Sequence, residues 1–172
     1  PAGGEWRLHS VMEEIRANPD ARIREGREPV ADRSSNPFSL SGKAAGEAFI
    51  STGHPFWADY RVGVSVKPVK GAFGLAFGVS DPKNFWLLRW RLSSLGVLPG
   101  RLELIRRDAG ADELVADAWV AGRIENWYRL EARTQGDLIE VLVDGSVVLT
   151  HRDARSTGGR IGLYAADGET FF

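Results

Sequence analysis

The chain contains no cysteine. Disulfide bonds, thiolate zinc sites and cysteine nucleophiles are therefore excluded together. No apolar run approaches the roughly 20 residues that a helix needs to cross a bilayer, and no signal peptide is recognisable in the sequence. The 22 basic residues nearly balance the 23 acidic ones, so the net charge of −1 gives no electrostatic footprint for a polyanion. We therefore expect no nucleic-acid partner and no membrane insertion.

The sequence does contain the side-chain alternation of β-strands. Apolar and polar residues alternate from residue 138 to residue 143, as the two-residue period of a strand requires. Asp144-Gly145 follows, a pair that tolerates positive φ in a two-residue hairpin turn. Residues 127 to 134 alternate in the same way, and residues 84 to 92 place Trp86 and Trp90 on the face of two leucines. These patterns predict antiparallel strands, with both tryptophans in the core.

Similar signals recur along the chain at the spacing of a two-sheet sandwich. Ser10 and Glu13 could form a capping box, which predicts one short helix over residues 10 to 17. Residues 26 to 46 have the Pro, Ser, Asn and Gly content of a long loop, a kind of segment in which function can reside. Further strands are predicted over residues 60 to 67, where Pro68 is expected to end the strand, and over residues 72 to 80, 101 to 107, 114 to 120 and 159 to 165.

Several of these segments also carry a family resemblance. They resemble the concanavalin A-like jelly-roll superfamily, in particular its bacterial laminin-G-like and keto-glycoside hydrolase-like domains. The resemblance covers residues 56 to 172, and residues 1 to 55 fit only loosely. It rests on Asn126-Trp127-Tyr128-Arg129-Leu130, Val143-Asp144-Gly145, Asp153 and Gly159-Arg160-Ile161-Gly162-Leu163-Tyr164, and upstream on Phe73 to Gly78, Asp81 and Asn84 to Arg89.

The resemblance implies an all-β, antiparallel two-sheet sandwich of roughly a dozen strands. At 172 residues, the economical count is one domain over residues 1 to 172. The resemblance also implies an exported bacterial protein, extracellular or periplasmic, with flanking domains in a larger chain. Relatives close with a Phe-Asp-Asp-Val-like strand, whereas this sequence begins at Pro1 and stops at Phe171-Phe172. We therefore expect an excised piece whose last strand is cut short or supplied elsewhere.

Catalytic motifs are missing from the sequence. The glycosidases of the superfamily carry a Glu-x-Asp-x-x-Glu strand motif, which places two carboxylates at the separation that a retaining mechanism needs, and this chain lacks it. Its nearest acidic cluster lies around a predicted turn, where acids are usually solvated: Asp108, Asp112, Glu113 and Asp117. We therefore favour a non-catalytic recognition module. The alternatives are an enzyme resembling keto-disaccharide hydrolase domains and a structural or protein-interaction domain.

The positions of several tryptophan and arginine residues suggest a ligand-binding surface. Sugar recognition commonly combines an aromatic platform with planar polar donors. Trp127 falls on the polar face of its predicted strand, and two arginines of the strand at residues 84 to 92 lie opposite its tryptophans. If these faces belong to the concave sheet, they form a shallow carbohydrate groove lined by Arg89, Arg91, Trp127, Arg129 and Arg133. The alternative, which the residues alone favour, is a solvated ladder of Arg and Glu side chains in cross-strand pairs.

Calcium is the one cofactor that the sequence suggests. Asp81, Asn84 and Asp153 lie at predicted strand ends, and laminin-G-like relatives can bind calcium through such oxygen ligands. Turn formation by Asp and Asn explains the same positions. The three histidines are isolated in sequence and show no metal-site spacing.

Overall fold

The computed structural model describes residues 3–10, 38–92, 99–155 and 157–172. Within these ranges the regular secondary structure is entirely β-strand, and no membrane-spanning helix is found. The ten strands are β1 (Glu5–Ser10), β2 (Phe38–Thr52), β3 (Arg61–Asp81), β4 (Asn84–Arg91), β5 (Gly100–Asp108), β6 (Ala111–Val120), β7 (Tyr128–Gln135), β8 (Leu138–Val143), β9 (Ser146–Arg152) and β10 (Arg160–Phe171).

Two antiparallel sheets share strand β3. The large sheet has the order β1-β2-β10-β3-β4-β5-β6, and the small sheet has the order β3-β7-β8-β9. Residues 61 to 66 of β3 pair with β7, and from Lys67 onward the strand pairs with β10 and then with β4. Pro68 therefore does not end a strand, and that prediction is wrong. It pairs with Thr170 beside a register shift, at the point where β3 passes from one sheet to the other.

The space between the sheets is filled by the residues that alternation assigned to the interior. Trp86 and Trp90 are fully buried there, which confirms their predicted core position. They share the core with apolar side chains of β3, β5, β7 and β8. The β8–β9 hairpin is also confirmed: Asp144 and Gly145 have φ of 49° and 81°, the positive values that its two-residue turn requires. The predicted all-β, antiparallel two-sheet sandwich is therefore confirmed.

The N-terminal region differs from the prediction in two places. Residues 38 to 46 are not loop, because they form the first part of β2 and pair with β1 and β10. Ser10, the predicted first residue of a helix, ends β1. The rest of that predicted helix, residues 11 to 17, and the loop residues 26 to 37 lie outside the described residues.

Candidate functional site

The outer face of the large sheet is concave. Glu47 lies on β2 and Arg107 on β5, and β10, β3 and β4 run between these two strands. Four strand spacings amount to about 19 Å in a flat sheet. The two side chains nevertheless meet in a two-pronged ion pair, with N–O distances of 2.9 and 2.8 Å. The sheet must therefore curve toward this side, which we call the concave face.

The floor of the concave face is aromatic. Phe49 of β2 and Phe85 of β4 stack with their ring centroids 4.8 Å apart and their planes 6° from parallel. Leu87 and Phe85 are fully buried, and Tyr164 is nearly so, which gives the large sheet a second apolar cluster on the side opposite to the core. β4 is therefore apolar on both sides for most of its length.

Arg107 links the charged groups above this floor. Its guanidinium lies 5.0 Å from the Phe85 ring centroid, and its Nε donates to Asp112 at 2.6 Å in addition to the pair with Glu47. Hydrogen bonds from Arg107 lower the pKa of Glu47, so this carboxylate is ionised at neutral pH. Burial raises the pKa of Tyr164 to about 12, and its protonated hydroxyl donates to Glu47 at 2.8 Å. The Arg107 side chain, at 12% exposure, is almost enclosed.

A second arginine extends the charged network toward β6. Arg89 Nε donates to Glu103 at 2.7 Å, and its guanidinium also lies 3.7 Å from Asp112. The Glu103 side chain is only 7% exposed and has two further arginines at 3.5 Å, Arg91 and Arg101. Glu103 therefore fixes the relative positions of three arginines on adjacent strands.

One end of the concave face is open to solvent. Arg91, Arg101 and Trp119 form a cross-strand row on β4, β5 and β6, with Arg101 opposite both of the others. We call this row the exposed strip. Trp119 is 69% exposed, and the Arg91 side chain is 53% exposed. Arg101 donates to Asp117 at 3.0 Å, two residues before Trp119 on the same face of β6. The strip thus presents an indole ring beside two guanidinium groups.

The structure separates the residues that the sequence predicted as one groove. Arg89 and Arg91 lie on the concave face, whereas Arg129 and Arg133 lie on the outer face of the small sheet, because β7 belongs to that sheet. Arg129 Nε donates to the buried Glu131 at 3.2 Å. Arg133 lies 3.9 Å from Glu140 on β8. These two arginines therefore form the Arg and Glu ladder that was the alternative, and they share no groove with Arg89 and Arg91.

Trp127 immediately precedes β7 and is 52% exposed. The ammonium group of Lys67 lies 5.8 Å from its ring centroid and 4.9 Å from that of Phe171. The same ammonium is 3.9 Å from a Glu125 carboxylate oxygen. Trp127 thus takes part in a cation–π cluster just before β7 and is not part of the exposed strip's cross-strand row.

The residues predicted as calcium ligands do not form one cluster. Asp81 accepts hydrogen bonds from the Lys83 amide and from the Asn84 side chain, which closes the β3–β4 turn. Asp153 is held by Arg155, and hydrogen bonds from that guanidinium lower its pKa to about 2. Across the described ranges, no three acidic or histidine side chains gather in a geometry that could hold a metal ion.

Trp119, Arg101 and the Glu47–Arg107 pair are site residues that the sequence reasoning missed. Alternation on β6 could have identified Trp119, since Asp117 and Trp119 fall on one face of a predicted strand. The Glu47–Arg107 pair has no such local signal, because it joins residues 60 positions apart.

No protein-family model matches the sequence, and no curated protein matches it either. Solved structures do match. The carbohydrate-binding module CBM66 from Bacillus subtilis is 20% identical, with a TM-score of 0.64 over 77% of this chain and 82% of that one. A toad ovary galectin in complex with thio-digalactose is 12% identical, with a TM-score of 0.57 over 75% and 96%. A Bacillus licheniformis β-glucanase is 14% identical, with a TM-score of 0.50 over 82% and 72%.

These similarities concern the fold. The chain has the jelly-roll sandwich of concanavalin A-like lectins and glucanases, as the sequence motifs predicted. Because the same fold occurs in a carbohydrate-binding module, in a galectin and in a glucanase, the fold by itself does not identify an activity. The choice between binding and hydrolysis has to come from the residues of the site.

Proposed function

We propose that this chain is a non-catalytic carbohydrate-recognition module that binds a glycan on the exposed strip of the concave face. The observation that carries this proposal is the row of Arg91, Arg101 and Trp119. An exposed indole offers a flat apolar surface to a sugar ring, and guanidinium groups offer planar donors to its hydroxyls. The similarity of the fold to a carbohydrate-binding module and a galectin adds support by analogy.

The arginine side chains of the exposed strip are held in place before a ligand binds. Glu103 lies beneath it and has Arg91 and Arg101 within 3.5 Å, while Asp117 accepts a hydrogen bond from Arg101. Side chains that are already held in place lose less conformational entropy when a ligand binds. Charge pairing has a further effect, because each arginine of the strip has a carboxylate partner. A neutral, hydroxyl-rich ligand therefore suits the strip better than an anion does.

The electrostatics of the concave face favour binding over hydrolysis. A glycosidase needs a general acid, which is a carboxyl group with a raised pKa that keeps its proton until the bond breaks. The pKa of Glu47 is instead lowered by Arg107. Glu103 and Asp112 each face Arg89 in the same network. This surface thus resembles a rigid support for a ligand more than a proton-transfer site.

A glycan array with a matched pair of variants tests the proposal. Trp119→Ala removes the indole of the exposed strip, and we expect a loss of affinity of about tenfold or more. Trp127→Ala removes a tryptophan of similar exposure elsewhere, and we expect it to bind as the wild type does. The reverse result would transfer the site to Trp127. An array in which no glycan binds the wild type would support a structural or protein-interaction domain and contradict the proposal.

The location of the protein and its domain context belong to the same proposal. We infer an exported bacterial protein in which this domain has flanking domains, and fractionation of source cells tests its location. Turnover of keto-disaccharides by the isolated domain would establish the enzyme alternative. Repeating the array with added calcium and with a chelator tests whether binding requires calcium. If it does, loss of that requirement in Asp81→Ala, Asn84→Ala or Asp153→Ala would assign the residue as a ligand.

A further inference from the structure

A second surface with aromatic side chains is lined by residues of both sheets. It is a cleft of about 470 Å³ lined by Phe56, Trp57, Tyr60, Arg61, Val62 and Ile161. Val62 belongs to the part of β3 in the small sheet, and Ile161 belongs to β10 of the large sheet. Ile161 lies on the side of β10 opposite to Tyr164, so this aromatic cleft is separate from the concave face.

Exposed rings form one wall of the aromatic cleft. Phe56 is 76% exposed and Trp57 is 36% exposed. His54, which is itself exposed, contacts both rings: its ring stacks on Phe56 with the centroids 5.0 Å apart and meets Trp57 edge-on at 5.8 Å. Trp57 in turn contacts Tyr60 at 6.4 Å, and the Tyr60 hydroxyl accepts a hydrogen bond from the Gly78 amide. The exposed rings are thus tied to the interior through an aromatic chain.

The loop that carries these rings is held in place by hydrogen bonds and by one glycine. Gly53 has a φ of +104°, and a Cβ atom there would lie 2.4 Å from Cζ3 of Trp57, so only glycine allows the indole to lie against it. The Gly159 amide donates to the Trp57 carbonyl at 2.8 Å. The Gly136 amide donates to the Asp59 carboxylate at 2.7 Å. The loop is therefore attached to both sheets, which positions its rings before any ligand arrives.

A second cleft adjoins the first and is mostly polar. This polar cleft has a volume of about 330 Å³, shares Tyr60 and Arg61 with the aromatic cleft, and continues to Arg133, Gln135 and Glu140. Arg61 forms a two-pronged pair with Glu131, at 2.9 and 2.8 Å. Arg133 has Glu140 at 3.9 Å. Since both arginines already have carboxylate partners, this surface creates no demand for a charged ligand.

We propose that the two clefts form one binding site for a neutral oligosaccharide of at least two rings, separate from the exposed strip. One sugar ring stacks on Phe56 and Trp57, where the apolar face of the sugar meets the aromatic rings. The next ring passes Arg61 and places its hydroxyls beside Gln135 and Arg133 in the polar cleft. Arg133, which the sequence analysis predicted as a ligand-binding residue, contacts the oligosaccharide in this proposed site.

A binding experiment with neutral oligosaccharides tests this site. The probes are cello-, laminari- and galacto-oligosaccharides of two to four rings, titrated calorimetrically into the wild type, Phe56→Ala, Trp119→Ala and the double variant. Phe38→Ala is the matched control, because Phe38 is an exposed phenylalanine of β2 at 49% exposure. We expect Phe56→Ala to lower the affinity of one site about tenfold or more, and Phe38→Ala to leave that affinity unchanged.

The outcomes separate this inference from the proposed function. Binding that persists in Trp119→Ala and is lost in Phe56→Ala supports the cleft and contradicts the concave strip. Binding that is lost only in Trp119→Ala overturns the cleft and leaves the proposed function intact. If no probe binds the wild type, the cleft is overturned as a site for these oligosaccharides, and the glycan array separately decides the proposed function. Concentration-dependent self-association that Phe56→Ala abolishes would show an interface between copies and would also overturn the cleft as a sugar site.

A nuclear magnetic resonance measurement provides a second readout that needs no variant. The indole N–H signal of Trp57 should shift on addition of an oligosaccharide that occupies the aromatic cleft. A shift of the Trp119 signal alone would contradict the inference. Chain length adds a further criterion, since a trisaccharide should bind more tightly than the corresponding monosaccharide if both clefts are used.

Discussion

The concave face and the aromatic cleft present similar chemical groups, but different forces hold those groups in place. On the concave face, the Glu47–Arg107 ion pair joins two strands that are far apart in the large sheet. In the aromatic cleft, backbone hydrogen bonds and one glycine hold a short loop. We infer that the concave face is coupled to global stability through a long-range ion pair, whereas the exposed rings of the aromatic cleft depend on the local conformation of one loop.

Arg107→Ala should produce the largest effect of this comparison. It removes the ion pair that joins β2 to β5 above the floor and leaves Glu47 and Asp112 without their principal partner. Loss of one member of a buried ion pair costs about 3–5 kcal/mol, and the partial exposure of Glu47 reduces this to about 2–3 kcal/mol of unfolding free energy. Urea unfolding measures it.

Arg133→Ala is the matched control, because its contact with Glu140 is long and half-exposed. We expect that control to stay within about 0.5 kcal/mol of the wild type. Equal losses for the two arginine variants would contradict the inference that the long-range pair on the concave face is coupled to global stability.

Gly53→Ala should have the next largest effect. The substitution forces a non-glycine residue to a φ of +104° and drives a methyl group into the Trp57 ring. We expect a loss of about 1–3 kcal/mol and a weaker hold on the aromatic loop. Gly46→Ala is the control, since a Cβ atom at Gly46 has nothing within 4 Å. Thermal unfolding of both variants measures the difference, and a Gly53→Ala protein as stable as Gly46→Ala would refute the role assigned to Gly53.

Acid should weaken the concave face by a smaller amount. The pKa of Glu47 is lowered below its ordinary value of 4.5 by Arg107. A lowered folded-state pKa contributes stability that is present above the unfolded-state pKa and is lost as pH falls through the folded-state value. Urea midpoints of the wild type should therefore fall more steeply than those of Glu47→Gln between about pH 6 and about pH 3. Parallel curves would show that Glu47 adds no acid-sensitive stability.

Phe56→Ala should change stability least. Phe56 is 76% exposed, and its removal leaves the contact between the His54 and Trp57 rings in place. We expect the unfolding free energy to stay within about 0.5 kcal/mol of the wild type. A larger loss, measured by the same urea titration, would mean that the Phe56 ring stabilises the loop and is not simply an exposed surface for a ligand.

The fold was largely predictable from local patterns. Alternation placed Trp86 and Trp90 in the core, and Asp144-Gly145 located the β8–β9 turn, because burial period and turn chemistry act over a few residues. Strand β2 was missed over residues 38 to 46, where small and polar residues resemble a loop. The structure gives one reason for that composition: Gly42 makes room for the Trp6 ring, whose atoms would lie 2.7 Å from a Cβ atom at that position.

The candidate site was less predictable, because alternation does not reveal which sheet a strand joins. Arg89 and Arg129 lie on similar polar faces of their strands, yet β4 and β7 belong to different sheets, and the two arginines point to opposite sides of the sandwich. Curvature is likewise a property of the whole sheet. It brings Glu47 to Arg107 and cannot be deduced from either strand alone.

The position of β10 has a consequence for how the chain folds. β10 comes latest in sequence among the described strands, but it lies between β2 and β3 in the large sheet. The two earlier strands therefore cannot complete their hydrogen-bond ladders until residues 160 to 171 are available. Such non-local pairing slows folding, since a long loop must close before its contacts form. During synthesis on a ribosome, β2 and β3 would remain unpaired on one side until β10 emerged between them, while the β7–β8–β9 hairpins could form earlier.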